Sequence, residues 1–472
     1  MRTLSSVVIT LWLAAAATAQ SDRARLYSTP SPPPREVLDR LNLREAWAVY
    51  VPTLDRRDGI LSFHLAPLWR RNTPTMHLLV QTRSGLIVAL DAETGQTLWR
   101  TRVGDPYKGT FALGFNNFDV VAERGTRIYG IRRENGEIRW QLDIAAVSSA
   151  PPLADSGFVY LALGAREVAY YVLPPENQIR PEFLTSYSSP VPLHLPPVQT
   201  PGSLVYPSPE GSIAILFKDR PRVDQRLQTG GGLFAGPGIH EADGTIYFGS
   251  LDTNVYGHSL GAAEQPWRFS TGGPVSRTPF VNDEDVYVFA DGRGLFRLRR
   301  RALDGKQLAA DLVRRAVLTQ AQIDEVTKEL GPRAQDTASL LTALRRKGYL
   351  TQRQRELISY RSGEQVWRVA TAEQVLAVNP KFVYATDRSG RLLILDRERG
   401  RELSRYNVRD FVVPTSNELT DRLYLAANSG LVVCLHDRDY TGPVSMKKLV
   451  KPEATRPPKE RPTLPNRGGN GR

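Results

Sequence analysis

The stretch Leu78–Val103, LLVQTRSGLIVALDAETGQTLWRTRV, decides the architecture. It reads as a strand, a turn at Ser84-Gly85, an alternating strand, a turn at Thr94-Gly95 and a further strand carrying Trp99. Moved on by 41 residues, DVVAERGTRIYGIRRENGEIRWQLDI (Asp119–Ile144) repeats it without a gap, Gly136 falling on Gly95 and Trp140 on Trp99. Moved on by 305 residues, VYATDRSGRLLILDRERGRELSRYNV (Val383–Val408) matches at Gly390, Leu395, Asp396, Gly400 and Leu403, with Ser404 in place of the tryptophan.

Weaker copies start near Val159, Leu204, Ile246, Tyr287 and Leu423, which makes eight starts. Most are spaced about 40 to 45 residues apart, the period of four-stranded propeller blades and too long for a leucine-rich solenoid. The expected fold is therefore all-β, an eight-bladed β-propeller of four-stranded blades over residues 45–439, with a small α-helical insertion in one blade. Glycines stand where tight turns require positive φ. Alternation in GLIVALD gives each strand two faces, one to pack on the next sheet. Trp47, Trp99, Trp140, Trp267 and Trp367 share one local setting and are read as structural blade-docking residues, each indole N–H reaching a backbone carbonyl.

An alternating strand, an Asp-x-x-Thr-Gly turn and a following Leu-Trp is similar to the repeat of the pyrroloquinoline-quinone (PQQ) proteins, and LDAETGQTLWRTRV resembles it closely. The resemblance covers roughly Ala46 to Asp439, apart from the insertion and a degenerate Pro-rich stretch. It implies an eight-bladed ring and two kinds of relative. One is the quinoprotein alcohol dehydrogenases; the other is BamB, the propeller lipoprotein of outer-membrane protein assembly.

The strand count predicts how the ring closes. The last unit ends near Asp439 without its tryptophan strand, whereas Ala46–Pro52 is a tryptophan strand with no unit before it. Residues 46–51 are therefore expected to pair with 430–436, burying both edges. Between Leu173 and Val205 the prolines of LPPENQIRPEF and SSPVPLHLPPVQTPG deny ladder hydrogen bonds, which predicts a long loop excursion.

From Gln307 to Arg361 the strand period gives way to a helical one. LVRRAVLTQAQIDEV and LRRKGYLTQRQRELI align at a shift of 32 residues, pairing Thr319 with Thr351 and Gln322 with Gln354. Thr-x-x-Gln ahead of an apolar-periodic run is a capping box, so two helical hairpins are expected. The Leu-x-x-x-Gly-x-Leu-Thr-x-x-Gln pattern resembles a short helical module that accompanies some bacterial signalling proteins. Arg345, Arg346, Lys347, Arg353 and Arg355 are the candidate basic face through which this insert docks a protein partner.

The first residues have the pattern of an export signal: Arg2, an apolar run from Leu4 to Ala17, then Ala17-Thr18-Ala19 before a cleavage site. The run is shorter than the roughly 20 residues of a spanning helix. Residues 1–19 are read as a signal peptide, 20–44 as a linker with a short helix, and the destination as the periplasm or cell envelope. No cysteine follows the cleavage site for lipid attachment. Cys434 is the only cysteine, so the fold holds no internal disulfide. Much of the net charge of +13 lies off the propeller, in a Pro-rich basic tail that lacks aromatics after Lys447. Residues 440–472 are expected to be disordered, with weak attraction to an anionic envelope surface and no specific nucleic-acid binding.

Chemistry is sparse. Asp91 and Asp396 belong to the repeat turns, and the six histidines show no zinc spacing. GGGLFAGPG (Gly230–Gly238) lacks the Gly-Lys-Ser/Thr ending of a phosphate loop and reads as a blade connection. No catalytic, cofactor-binding or metal residue is assigned. The favoured function is a monomeric, non-catalytic protein-interaction scaffold of the envelope, BamB-like in outer-membrane protein assembly, needing no cofactor. The alternative is a divergent quinoprotein oxidoreductase using PQQ and Ca²⁺.

Overall fold

The computed structural model describes residues 30–452 apart from 176–178, 262–265 and 357. The strands form eight antiparallel sheets, seven of four strands and one of three. Blade 1 sets the pattern with Ile60–Arg70, Thr73–Thr82, Leu86–Asp91 and Thr97–Arg102 running from the ring axis outward. Its two middle strands are buried over most of their length, because neighbouring sheets cover both of their faces. The outermost strand alternates, with Trp99 as its buried residue. The core is consequently a ring of seams between sheets. One seam joins Trp47 and Tyr424 of blade 8 to Leu78 and Val88 of blade 1; the next joins Ala89 and Trp99 of blade 1 to Val120 and Ile131 of blade 2.

Blade 8 closes the ring. Leu43–Tyr50 pairs antiparallel with Leu431–Asp437, Trp47 opposite Cys434 and Tyr50 opposite Leu431, the pairing that the mismatch in strand count predicts. The innermost position of this blade is reduced to a single bridge, Val413 to Ala426, beside Pro414, which has no N–H to extend it.

In every blade, the turns joining strands one to two and three to four open on the same face, the upper face. The turn joining strands two to three opens on the lower face. Three additions to the bare repeat gather on the upper face: helix α1 (Arg35–Arg40) before the first strand, the helical insert, and the segment after Asp437.

The insert joins the third and fourth strands of blade 6, Gly294–Arg299 and Gln365–Val369. It comprises α2 (Gly305–Arg314), α3 (Gln320–Leu330), a 3₁₀ turn, α4 (Thr337–Arg346) and α5 (Gln352–Glu356). The expected capping boxes are present at Thr319–Gln322 and Thr351–Gln354. A third box, Asp304–Gln307, starts α2 two residues earlier than the helical period suggests. Leu308, Leu312, Ile323, Val326, Leu340 and Leu344 form a separate apolar core. The two duplicated halves thus bury their stripes against each other.

Two expectations require correction. The Pro-rich stretch 173–205 is not wholly a loop: Glu182–Ser188 forms the outermost strand of blade 3, paired with Glu167–Val172. An outermost strand tolerates flanking prolines because one of its edges makes no ladder bonds. The tail likewise does not leave the ring at residue 440. Residues 440–452 pack against the upper face, with Met446 and Lys447 buried, since their backbone and charge find partners on distant turns. The signal peptide 1–19, the linker up to residue 29 and the tail from 453 lie outside the described residues.

Candidate functional site

The tryptophans divide into two groups. Trp47, Trp99 and Trp367 donate their indole N–H to the carbonyls of Ala92, Arg133 and Arg397, at 3.1, 2.8 and 2.7 Å, each in the turn of the following blade. The same rings lie against Gly95, Gly136 and Gly400, all at positive φ, where a Cβ would fall within 2.6 to 2.8 Å of the indole or a neighbouring hydroxyl. Glycine is required there for both conformation and space. Trp140 departs from the expected carbonyl contact. Its N–H donates to the Asp119 carboxylate of its own blade at 3.0 Å, because the connection after Val172 offers no Asp-x-x-x-Gly turn. Trp267 lies over Gly257 of its own blade and Gly363 of the next.

The upper mouth of the channel is framed by a recurring turn that the sequence reading passed over. Asn116, Asp155, Asn282, Asn379 and Asn417 each accept two backbone N–H bonds from the residues two and three positions on. These Asx turns close the first hairpin of five blades. The signal was present in FNNFD, ADSGF, VNDED, VNPKF and SNELT, but the spacing became meaningful only once the hairpins were aligned.

Inside this rim lies a cavity of about 840 Å³. Phe63, Trp69, Phe115 and Phe217 give it apolar walls. Arg133 brings a buried positive charge, held by the carbonyls of Ala66, Pro67 and Asn116 at 2.8 to 3.0 Å. Burial lowers its pKa to about 10, still charged at neutral pH. Lys218 lies 3.0 Å from Asp155, burial pulling its pKa down while the carboxylate opposes the shift. His64 and Trp69 direct Nε2 and Nε1 into buried positions without a protein partner, and burial takes the His64 pKa down to about 4. Such a wall can hold a polar, partly apolar ligand.

Ca²⁺ beside a quinone would have to draw on the carboxylates that line this mouth, Asp155, Asp219, Glu241 and Glu418. A calcium ion takes six to eight oxygens, with carboxylates among them. Here Asp155 is engaged by Lys218 and the Tyr160 hydroxyl, and Glu418 by Lys447 at 2.6 Å and the Val281 N–H at 3.0 Å. Among the described residues no group of three or more His, Cys, Asp or Glu is arranged to hold a metal ion.

The insert is tied to this face by charge. Asp311 on α2 is buried against Arg299 of blade 6 at 2.5 Å, and also meets Arg314 and Arg315. Arg314 reaches Glu398 of blade 7, which in turn meets Arg297 of blade 6. Of the five basic candidates, Arg346 pairs with Glu329, Lys347 with Glu325 and Glu329, and Arg345 with Gln352. Arg353 and Arg355 stand on α5, and the structure does not gather the five into one uncompensated patch.

Closed ring, indole seams and Asp–Gly turns together define a β-propeller of PQQ-like repeats. A family model described as outer membrane protein assembly factor BamB matches residues 78–171, blade 1 into blade 3. The outer membrane protein assembly factor BamB of Moranella endobia is 23% identical over 138 residues, which is 27% of this chain and only 34% of that relative's length. The crystal structure of BamB from Moraxella catarrhalis superimposes with a TM-score of 0.53 at 13% identity, covering 84% of this chain and 97% of that one. The chain is an eight-bladed β-propeller whose repeats are similar to those of BamB proteins.

Proposed function

We propose that this propeller is a non-catalytic interaction scaffold of the cell envelope, BamB-like in outer-membrane protein assembly, that engages protein partners through the helical insert and the upper-face loops. The observation that carries this reading is the gathering of every described helix and of residues 438–452 on one face of the ring, while the indole seams occupy the interior. The elaborated face presents a helical unit with its own apolar core, on ends held together by the Leu303 N–H to Tyr360 O bond. The similarity to BamB proteins supports the same direction.

Replacing residues 305–361 with a short turn and comparing envelope proteins retained by the two forms tests the reading. Partners held by the complete chain and lost by the deletion support it; an unchanged set overturns it. Incubation with PQQ and Ca²⁺ under dye-reduction conditions provides the second arm, in which sustained turnover would replace the scaffold with an oxidoreductase.

A further inference from the structure

The ring is complete at Asp437, yet the chain continues across the upper mouth and is held there in the manner of a bound peptide. Alternate residues make the main-chain bonds. Asp421 N–H donates to Val444 O at 3.0 Å, and Val444 N–H to the Asp421 carboxylate at 2.8 Å. Met446 N–H donates to Leu419 O at 2.9 Å and Met446 O accepts from Asp283 N–H at 3.1 Å, while Lys448 N–H donates to the Asp283 carboxylate at 2.8 Å. Thr420 and Ser445 form an antiparallel bridge. Spacing of two in the main-chain partners is the mark of an extended strand added to an existing rim.

Side chains add selectivity. Val444 and Met446 pack on the apolar cluster between blades 6 and 7. Lys447 points the other way, and its ammonium is buried against Glu418 at 2.6 Å. Leu449, Val450 and Pro452 then wall the cavity, and Lys451 reaches Asn72 of blade 1 at 2.9 Å. Arg422 grips the start of the segment through the carbonyls of Tyr440 and Thr441.

We propose that the groove holding Val444–Lys448 is a peptide-binding site, filled by the chain's own C-terminal segment and able to take in its place an extended partner peptide with two apolar side chains two positions apart followed by lysine. The resident segment is an internal competitor that also shields the cavity. The groove goes beyond the scaffold reading and stands independently of what the insert binds.

A fluorescent peptide of residues 441–452 (TGPVSMKKLVKP), read by polarisation against the full-length chain, tests the site. A tethered competitor acts at roughly millimolar effective concentration, so wild type should bind weakly. The variant Met446→Asp/Lys447→Glu, which frees the groove without altering it, should bind at least about tenfold more tightly. Adding Glu418→Lys should abolish the gain. A folded variant with unimproved binding overturns the proposal. Hydrogen exchange on the wild-type chain decides the matter if that variant does not fold. The Met446 and Lys448 amides should exchange at least about tenfold faster than those of Leu431–Asp437, and equal rates overturn the proposal.

Discussion

At the scale of single residues, the molecule relies on a few large side chains whose surroundings leave them little choice. Trp367 is 6% exposed, seals the seam between blades 6 and 7, and satisfies the Arg397 carbonyl. Trp367→Ala opens a cavity and leaves that acceptor with Arg297 Nη1 as its remaining donor, so a loss of about 3–5 kcal/mol, most of it from the cavity, is expected in denaturant unfolding. Asp285 is fully buried, and burial alone would raise its pKa, but the charges of Arg297 and Arg397 outweigh this and hold it at about 2. A carboxyl depressed in the fold stabilises above its ordinary pKa and loses that contribution as pH falls through the folded value. Wild type should therefore lose melting temperature between about pH 4 and pH 2. Asp285→Asn, which leaves the buried Arg297 with only its longer 3.4 Å contact to Glu398, should start about 3–5 kcal/mol lower and show a flatter profile there. His64 and His77 push stability the same way with pH, but by burial rather than by ion pairing. Burial lowers both to about 4 from 6.5. The unfolded chain thus takes up protons that the fold refuses, and stability falls as pH drops through that window. Melting of a His64→Gln/His77→Gln double variant should depend less on pH between 6.5 and 4, and an unchanged slope would contradict this account.

At the scale of elements, the insert's helices depend on their first residues. Removing a threonine cap costs about 0.5–2 kcal/mol, and Thr319→Ala together with Thr351→Ala should lower helical circular dichroism while the blade strands persist. Both boxes were legible because they use residues three apart. Blades were legible for the same kind of reason: Ser84-Gly85, Thr94-Gly95 and Trp99 fall within one short stretch and recur. Where partners lie far apart in sequence, the reading failed. Glu182–Ser188 was hidden behind prolines that an outermost strand tolerates. Lys447 looked like one more solvated tail cation, although Glu418 buries it. The Trp140 contact depended on a turn missing from a different blade, and the Arg133 cradle on carbonyls of Ala66 and Pro67, which have no side-chain signature.

At the scale of the whole molecule, all eight sheets depend on one junction between the two ends of the chain. Deleting Leu43–Tyr50 would leave the edge of Leu431–Asp437 and the Gly95 turn of blade 1 uncovered. An exposed edge of that length pairs with other copies, so light scattering should show a larger species for the deletion form than for the undeleted chain; a deletion form of unchanged size and melting would refute the role of the junction. The junction also sets a schedule for folding. Leu43 meets Asp437, so the first of the described strands to leave the ribosome must wait for the last of them. Contacts of such long sequence separation form slowly. During that wait the opening strand is an orphan with a sticky rim, and a chaperone that shelters it would govern the yield of native rings more than any blade's own stability.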